Sequence, residues 1–138
     1  MSRPRYAALT QPEPLTAARI QQEVLDDETV LLEFALGETQ SWLWAVTTSA
    51  VISVALPAER DLEAAALSLY AELTARQPRG RELATAYAKR VAAADRRLGA
   101  RAMTVSRILF GGIAEQLQGP WRDKRLVIVA AGALEYLP

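Results

Sequence analysis

The stretch Lys124 to Pro138, KRLVIVAAGALEYLP, contains the run of residues that decides the fold. From Leu126 to Ala130 the residues are all apolar, which is typical of a strand covered on both faces in a parallel sheet. A parallel neighbour would need a crossover connection of about a dozen residues or more. The sequence ends too soon after Ala130 to supply one, so we predict that half of this crossover unit is missing.

Length and composition indicate one ordinary globular domain. The chain has 138 residues, of which 51% are hydrophobic and 23% are charged. Its 16 basic residues balance 16 acidic ones, which argues against nucleic acid and anionic membranes as partners. The absence of His and Cys excludes disulfides, thiol nucleophiles and the usual zinc ligands. We therefore predict no catalytic residue, no metal site and no cofactor.

The N-terminal residues carry no targeting signal of a familiar kind. MSRPRYAALTQPEP has no apolar core of secretory length, and no apolar run approaches the roughly 18 residues of a membrane span. These observations predict a cytoplasmic protein. We interpret residues 1–28 as a tether followed by a short helix that Thr16 caps, and residues 29–138 as the folded part.

Period-two alternation predicts three consecutive strands in an antiparallel meander, which span Thr29 to Leu36, Gln40 to Thr47 and Val51 to Leu56. Helical periodicity then predicts two or three helices, at Glu59 to Arg76, Arg81 to Leu98 and Thr104 to Leu117. Gly99 is expected to end the second helix. Gly111 and Gly112 are expected to bend the third or to allow close packing. The predicted class is α/β, with a meander, helices and then a buried strand.

Several segments together resemble the beginning of a CHAT domain, the bacterial caspase-like domain usually found behind tetratricopeptide repeats. They are ALTQPEPLTAARIQ, DDETVLLEFALGETQSWLWAVT, LSLYAELTAR, SRILFGGIAEQL and the final KRLVIVAAGALEYLP. The similarity runs from about Tyr6 to Pro138. This sequence departs from the family at Ala131, where an Asp is frequent.

The resemblance implies a caspase-like sheet whose catalytic His and Cys lie on later strands, beyond Pro138. It implies that this chain is the non-catalytic N-terminal portion of a cysteine peptidase, with a structural and partner-docking role. Its implied partners are the rest of the caspase-like domain and an upstream repeat region. The alternative is a free-standing interaction module, a homo-oligomer that pairs through the open edge of the strand at Leu126.

Five residues are weak candidates for binding. Gly132, Glu135 and Tyr136 follow the final strand, where open α/β sheets bind ligands. We favour the simpler interpretation that they form a loop in which Tyr136 and Leu137 are packed. Trp42 and Trp44 share one strand face and could bind a ligand or a second copy. We favour their burial in the core, together with Phe34 and Leu32.

Charged residues have simpler explanations. The arginines near the ends of the second helix, at positions 76, 79, 81, 96, 97 and 101, alternate with acidic residues and suit helix C-termini. Asp26, Asp27 and Glu28 are interpreted as a solvated turn. Glu33 is expected to face solvent or to pair with a cross-strand arginine.

Overall fold

The N-terminal part of the folded region is a short helix. The computed structural model describes residues 14–138, so the predicted tether, apart from its last residue, lies outside the described residues. Helix α1 begins at Ala17–Arg19 and continues in π-helical form through Ile20–Val24. The Oγ1 of Thr16 accepts a hydrogen bond from the backbone N–H of Arg19 at 3.3 Å, which confirms the predicted cap.

Four strands form one mixed sheet: β1 at Thr29–Ala35, β2 at Ser41–Val46, β3 at Val51–Leu56 and β4 at Arg125–Val129. Their order is β3-β2-β1-β4; the first three strands are an antiparallel meander, and β4 runs parallel to β1. The α/β class with a meander, helices and a final strand is confirmed. The prediction that half of the crossover unit is missing was wrong, because β1 is the parallel neighbour of β4 and the helices between β3 and β4 make the connection.

Helices connect β3 to β4. They are α2 at Glu59–Leu73 with a 3₁₀ turn at Thr74–Arg76, α3 at Ala84–Phe110, a 3₁₀ turn at Gly111–Ile113 and α4 at Ala114–Gln118. A last 3₁₀ turn, Gly132–Tyr136, follows β4. The predicted second and third helices are therefore largely one helix, and Gly99 lies inside it. Ala94, Val105 and Leu109 are all buried along α3, and this packing outweighs the cost of about 1 kcal/mol for an internal glycine.

Gly112 allows the close packing that the sequence predicted. A Cβ at this position would lie 2.3 Å from Cγ1 of Val54 on β3. The helix also changes to 3₁₀ form there, between α3 and α4. A side chain at residue 112 would push this part of the helix away from the sheet.

The helices cover one face of the sheet. Four strand residues are almost inaccessible: Val30, Leu32, Leu43 and Ala45. They form the core with α2, α3 and the 3₁₀ turn after α3, through Leu62, Leu69, Val105, Leu109 and Ile113. Alternate strand residues point to the opposite face. That second face and the outer side of β4 are the most exposed apolar parts of the sheet, and the candidate site lies there.

An open edge and an open face of the sheet

β4 is an edge strand, and all five of its residues are exposed. Leu126, Val127, Ile128 and Val129 keep 40–51% of their surface accessible. The prediction of a buried strand was wrong for the described residues. Apolar residues without alternation need cover on both faces, but within residues 14–138 only β1 pairs with this strand. We call the outer side of Arg125–Val129 the open edge.

The backbone of β4 has free hydrogen-bonding groups at the open edge. The N–H of Arg125 donates to the carbonyl oxygen of Glu28 at 2.7 Å, on the β1 side. Because successive residues of a strand direct these groups to opposite sides, Leu126 and Ile128 present theirs away from β1. No other strand of the described residues pairs with them there.

An apolar groove runs beside the open edge on the helix-covered side of the sheet. Its volume is about 650 Å³, and it lies between β4, α3 and the C-terminal turn. We call it the edge groove; its apolar lining includes Leu73, Leu98, Phe110, Ile128, Leu134 and Leu137. A strand paired to the open edge would extend the sheet past this groove.

The segment after β4 is packed on α2. Gly132 adopts a positive φ of 54°, and a Cβ there would lie 3.1 Å from Cδ1 of Leu36. Leu134 is buried in the core, and Glu135 lines the edge groove. The Tyr136 ring lies 6.0 Å from that of Tyr70, yet Tyr136 is 63% exposed. The expectation of a simply packed Tyr136 was therefore wrong, and binding by Gly132, Glu135 and Tyr136 stays a prediction.

Trp42 and Trp44 lie on the face of the sheet opposite to the helices and are 38% and 39% exposed. Their predicted burial in the core was wrong. In the observed register Leu32 pairs with Ala45 and Phe34 with Leu43, so the tryptophans cannot share a face with Leu32. Their role in binding stays a prediction. We call this surface, formed mainly by Glu33, Trp42, Trp44, Val127 and Val129, the open face.

The β1–β2 loop sets this register. The side chain of Ser41 is buried, and its Oγ accepts a hydrogen bond from the N–H of Gly37 at 3.2 Å. Gly37 itself has no room for a side chain, since a Cβ would lie 2.4 Å from the carbonyl oxygen of Gln40. With Ser41 directed inward, Trp42 must point outward.

Glu33 occupies the middle of the open face and was not recognised as part of a site. Its register partners are Trp44 on β2 and Val129 on β4, and it is half-buried. No side-chain hydrogen bond or ion pair joins Glu33 to another described residue, so of the two expectations for Glu33 the structure fits a partly solvent-facing carboxylate and not a pair with a cross-strand arginine. The hairpin register was the signal that could have placed it.

Several of the arginines noted in the sequence form ion pairs. Arg97 donates two hydrogen bonds to Glu72, at 2.8 and 3.1 Å, and Arg101 donates a third at 3.2 Å. These bonds lower the pKa of Glu72 below its ordinary value, the bond from Arg97 having the largest effect. Arg76 binds Asp95, and Arg90 binds Glu82. The pairs of Glu72 and Arg76 join α2 and its flanking turn to α3, whereas Glu82 lies in the segment just before α3. All of these pairs favour a structural role.

The acidic turn before β1 binds its own backbone and side chains. Oδ1 of Asp26 accepts from the hydroxyl of Thr29 at 2.5 Å and from the N–H of Glu28 at 3.2 Å. These hydrogen bonds lower the pKa of Asp26, the Thr29 bond contributing most. Among residues 14–138, no three or more acidic side chains are grouped so that they could hold a metal ion.

Comparison with known proteins finds no similar protein. No family model matches the chain, and neither a curated protein nor a solved structure is significantly similar to it. Across residues 14–138, every helix is too short or too polar to cross a bilayer.

Proposed function

We propose that this chain is a non-catalytic structural and docking unit whose open edge receives a strand from a partner. The identity we propose is the N-terminal portion of a bacterial CHAT-type caspase-like protein, in which the remainder of the domain is that partner. One observation carries the docking role: four consecutive apolar residues of β4 are exposed beside unpaired backbone groups.

A partner strand would pair the free backbone groups of the open edge and would also cover its exposed apolar side chains. Folded proteins protect sheet edges with charges, prolines, bulges or covering elements, because free edges recruit other strands. β4 has only Arg125 as a charge and contains no proline. Pairing would satisfy the free N–H and C=O groups of Leu126 and Ile128, and a partner's side chains would cover the edge groove.

The chemistry of the chain supports docking over catalysis. It contains no His and no Cys, so it cannot supply a Cys–His dyad. Under this proposal the partner carries both catalytic residues, and this chain contributes the sheet on which they are placed.

Self-association through the same edge is the second candidate. Arg125 lies at one end of β4, so antiparallel pairing of two copies would hold the two guanidinium groups at opposite ends. Such a contact is two-fold symmetric and closes after two copies. Parallel pairing would place like charges side by side and is disfavoured.

The substitution Ile128→Pro tests edge pairing. It removes an outward N–H without removing a hydrogen bond to β1, and edge strands tolerate such a proline. Ile128→Val is the matched control, because it keeps the donor. If the reading frame continues past Pro138, we expect Ile128→Pro to abolish co-purification with the separately expressed downstream segment, and Ile128→Val to retain it.

The two candidates differ in two further observations. The caspase-like proposal requires that the reading frame continue beyond Pro138 with one strand ending in His and another ending near Cys. Self-association instead requires a concentration-dependent rise in sedimenting mass that Ile128→Pro removes. Retention of all pairing in Ile128→Pro would reject both candidates.

A further inference from the structure

We propose that the open face binds an amphipathic helix of a partner protein, and that this helix places an arginine on Glu33 between the indoles and Val129. The proposal concerns the face of the sheet and not its edge. It therefore holds or fails independently of strand pairing at β4.

Glu33 lies at the centre of the open face. Trp44 and Val129 are its register partners on the two neighbouring strands, and Trp42 lies two residues from Trp44 on the same face. Adjacent strands lie about 4.8 Å apart, so Trp44 and Val129 flank Glu33 on its two sides. Any partner that covers the exposed indoles also covers Glu33.

Glu33 places a carboxylate without a described partner among the apolar residues of the open face. No described residue forms an ion pair or a side-chain hydrogen bond with it. Burying an unpaired carboxylate is strongly unfavourable, whereas a paired one with good hydrogen bonds is tolerated. The occupant must therefore bring a cation, and a purely apolar occupant is excluded by this one residue.

Arginine suits this position better than lysine. A guanidinium group binds a carboxylate through two parallel hydrogen bonds and also stacks on aromatic rings. It is attracted to the face of tryptophan within about 6 Å of the ring centre. Trp44 beside Glu33 provides both kinds of contact, whereas a lysine would use chiefly the charge.

A helix is the occupant that matches the rest of this fold. A sheet buries an apolar face against helices or a second sheet, and we choose a helix because α2 and α3 cover the other face of this sheet. The side chain of Gln21 donates to the carbonyl oxygen of Thr47 at 2.8 Å, so α1 lies beside the Val46 end of β2. Val46 is buried, and the surface that remains is the Trp42 end.

A peptide library tests the proposal without a known partner. The probe is a display library of amphipathic helical peptides in which the central positions of the apolar face are randomised. Selection against the whole chain should enrich arginine at a central position. Selection against Glu33→Gln should not, and peptides from the first selection should lose binding to Trp44→Ala.

Matched peptides give the size of the effect. A selected arginine peptide is compared with the same peptide carrying citrulline, which keeps the shape without the charge. Fluorescence of the exposed tryptophans should report binding at least about tenfold tighter for arginine, and this ratio should fall to about one in Glu33→Gln. Circular dichroism of Glu33→Gln controls for folding.

Three outcomes would overturn the proposal. They are selection without arginine enrichment, equal affinities of the two peptides for the unchanged chain, and binding that survives Trp44→Ala. Dimerisation of the chain alone that Trp44→Ala abolishes would assign the face to a second copy instead. Loss of edge pairing in Ile128→Pro affects none of these results, so the two proposals can fail separately.

Discussion

On the helix-covered face of the sheet, Leu32 is completely buried, whereas its register neighbour Ile128 is 51% exposed. The two residues are adjacent, both apolar and directed to the same side, yet only one has neighbours all around it. The same contrast separates Leu43, buried under the helices, from Trp44 on the open face. An apolar side chain is thus stabilised by cover from neighbouring residues, and the topology of the sheet decides whether the described chain provides that cover.

The largest effect is expected from truncating the covered member of the first pair. Leu32→Ala should lower the free energy of unfolding by about 3 kcal/mol, through lost transfer energy and the cavity left behind. Ile128→Ala should cost only about 1 kcal/mol, because half of its side chain is already in water. Urea unfolding of both variants measures the difference, and equal losses would show that the edge is covered in solution.

Gly112 and Gly99 give effects of opposite sign. Gly112→Ala should destabilise the protein by about 1–3 kcal/mol, since its Cβ would overlap Val54. Gly99→Ala meets nothing within 4 Å and lies inside α3, so it should stabilise by about 0.5–1 kcal/mol. Thermal unfolding of the two variants provides the measurement.

The double variant Gly112→Ala with Val54→Ala is the control for that clash. In the Val54→Ala background, Gly112→Ala should cost much less free energy of unfolding than it costs in the unchanged protein, because the side chain that it would overlap has been shortened. If the losses of the two single variants simply add in the double variant, Gly112 is required for a reason other than its close contact with Val54 on β3.

A smaller effect is expected on the open face. Trp44→Thr keeps a residue that favours strands and should change the free energy of unfolding by less than about 1 kcal/mol. It should also reduce the fluorescence of a bound apolar dye, because the exposed apolar patch shrinks. A loss comparable to that of Leu32→Ala would mean that Trp44 is packed, and the contrast between the faces would fail.

The alternation of residues in β1, β2 and β3 was sufficient to predict the strands almost to the residue, because a period of two is local. The faces were harder to assign. The pairing of Leu32 with Ala45 depends on the loop around Gly37. A shift of one residue in the register between β1 and β2 would direct Trp44 into the core. The sequence reasoning paired the faces by apolar character and therefore placed Trp42 and Trp44 wrongly.

The other differences have the same origin in tertiary contacts. Gly99 is a good helix terminator by itself, but the buried residues on both sides of it hold α3 together. The run Leu126 to Val129 reads as buried, and its local pattern contains no information on how many strands are present to cover it. Glu33 gained its place in the candidate site only from neighbours on two other strands.

The smallest effect is expected from the ion pairs that join Glu72 on α2 to Arg97 and Arg101 on α3. Only 8% of the Glu72 side chain is exposed, and it accepts hydrogen bonds from Arg97 and Arg101. Its pKa in the folded chain is lowered, so its contribution is complete above the unfolded value of about 4.3 and disappears as pH falls through the folded value. Glu72→Gln should therefore be less stable than the unchanged protein at pH 7, and the difference should shrink at acid pH.

Glu63→Gln is the matched control for this pH dependence. Glu63 is an exposed carboxylate of the same helix and forms no ion pair with another residue of the described part of the chain. Urea midpoints at pH 7, 4 and 3 should converge for Glu72→Gln and the unchanged protein, while Glu63→Gln should follow the unchanged protein throughout. A gap that stays constant with pH would show that Glu72 acts through packing of its methylene groups, because packing does not titrate. Apolar contact, and not the ion pairs with Arg97 and Arg101, would then hold α2 against α3 at Glu72.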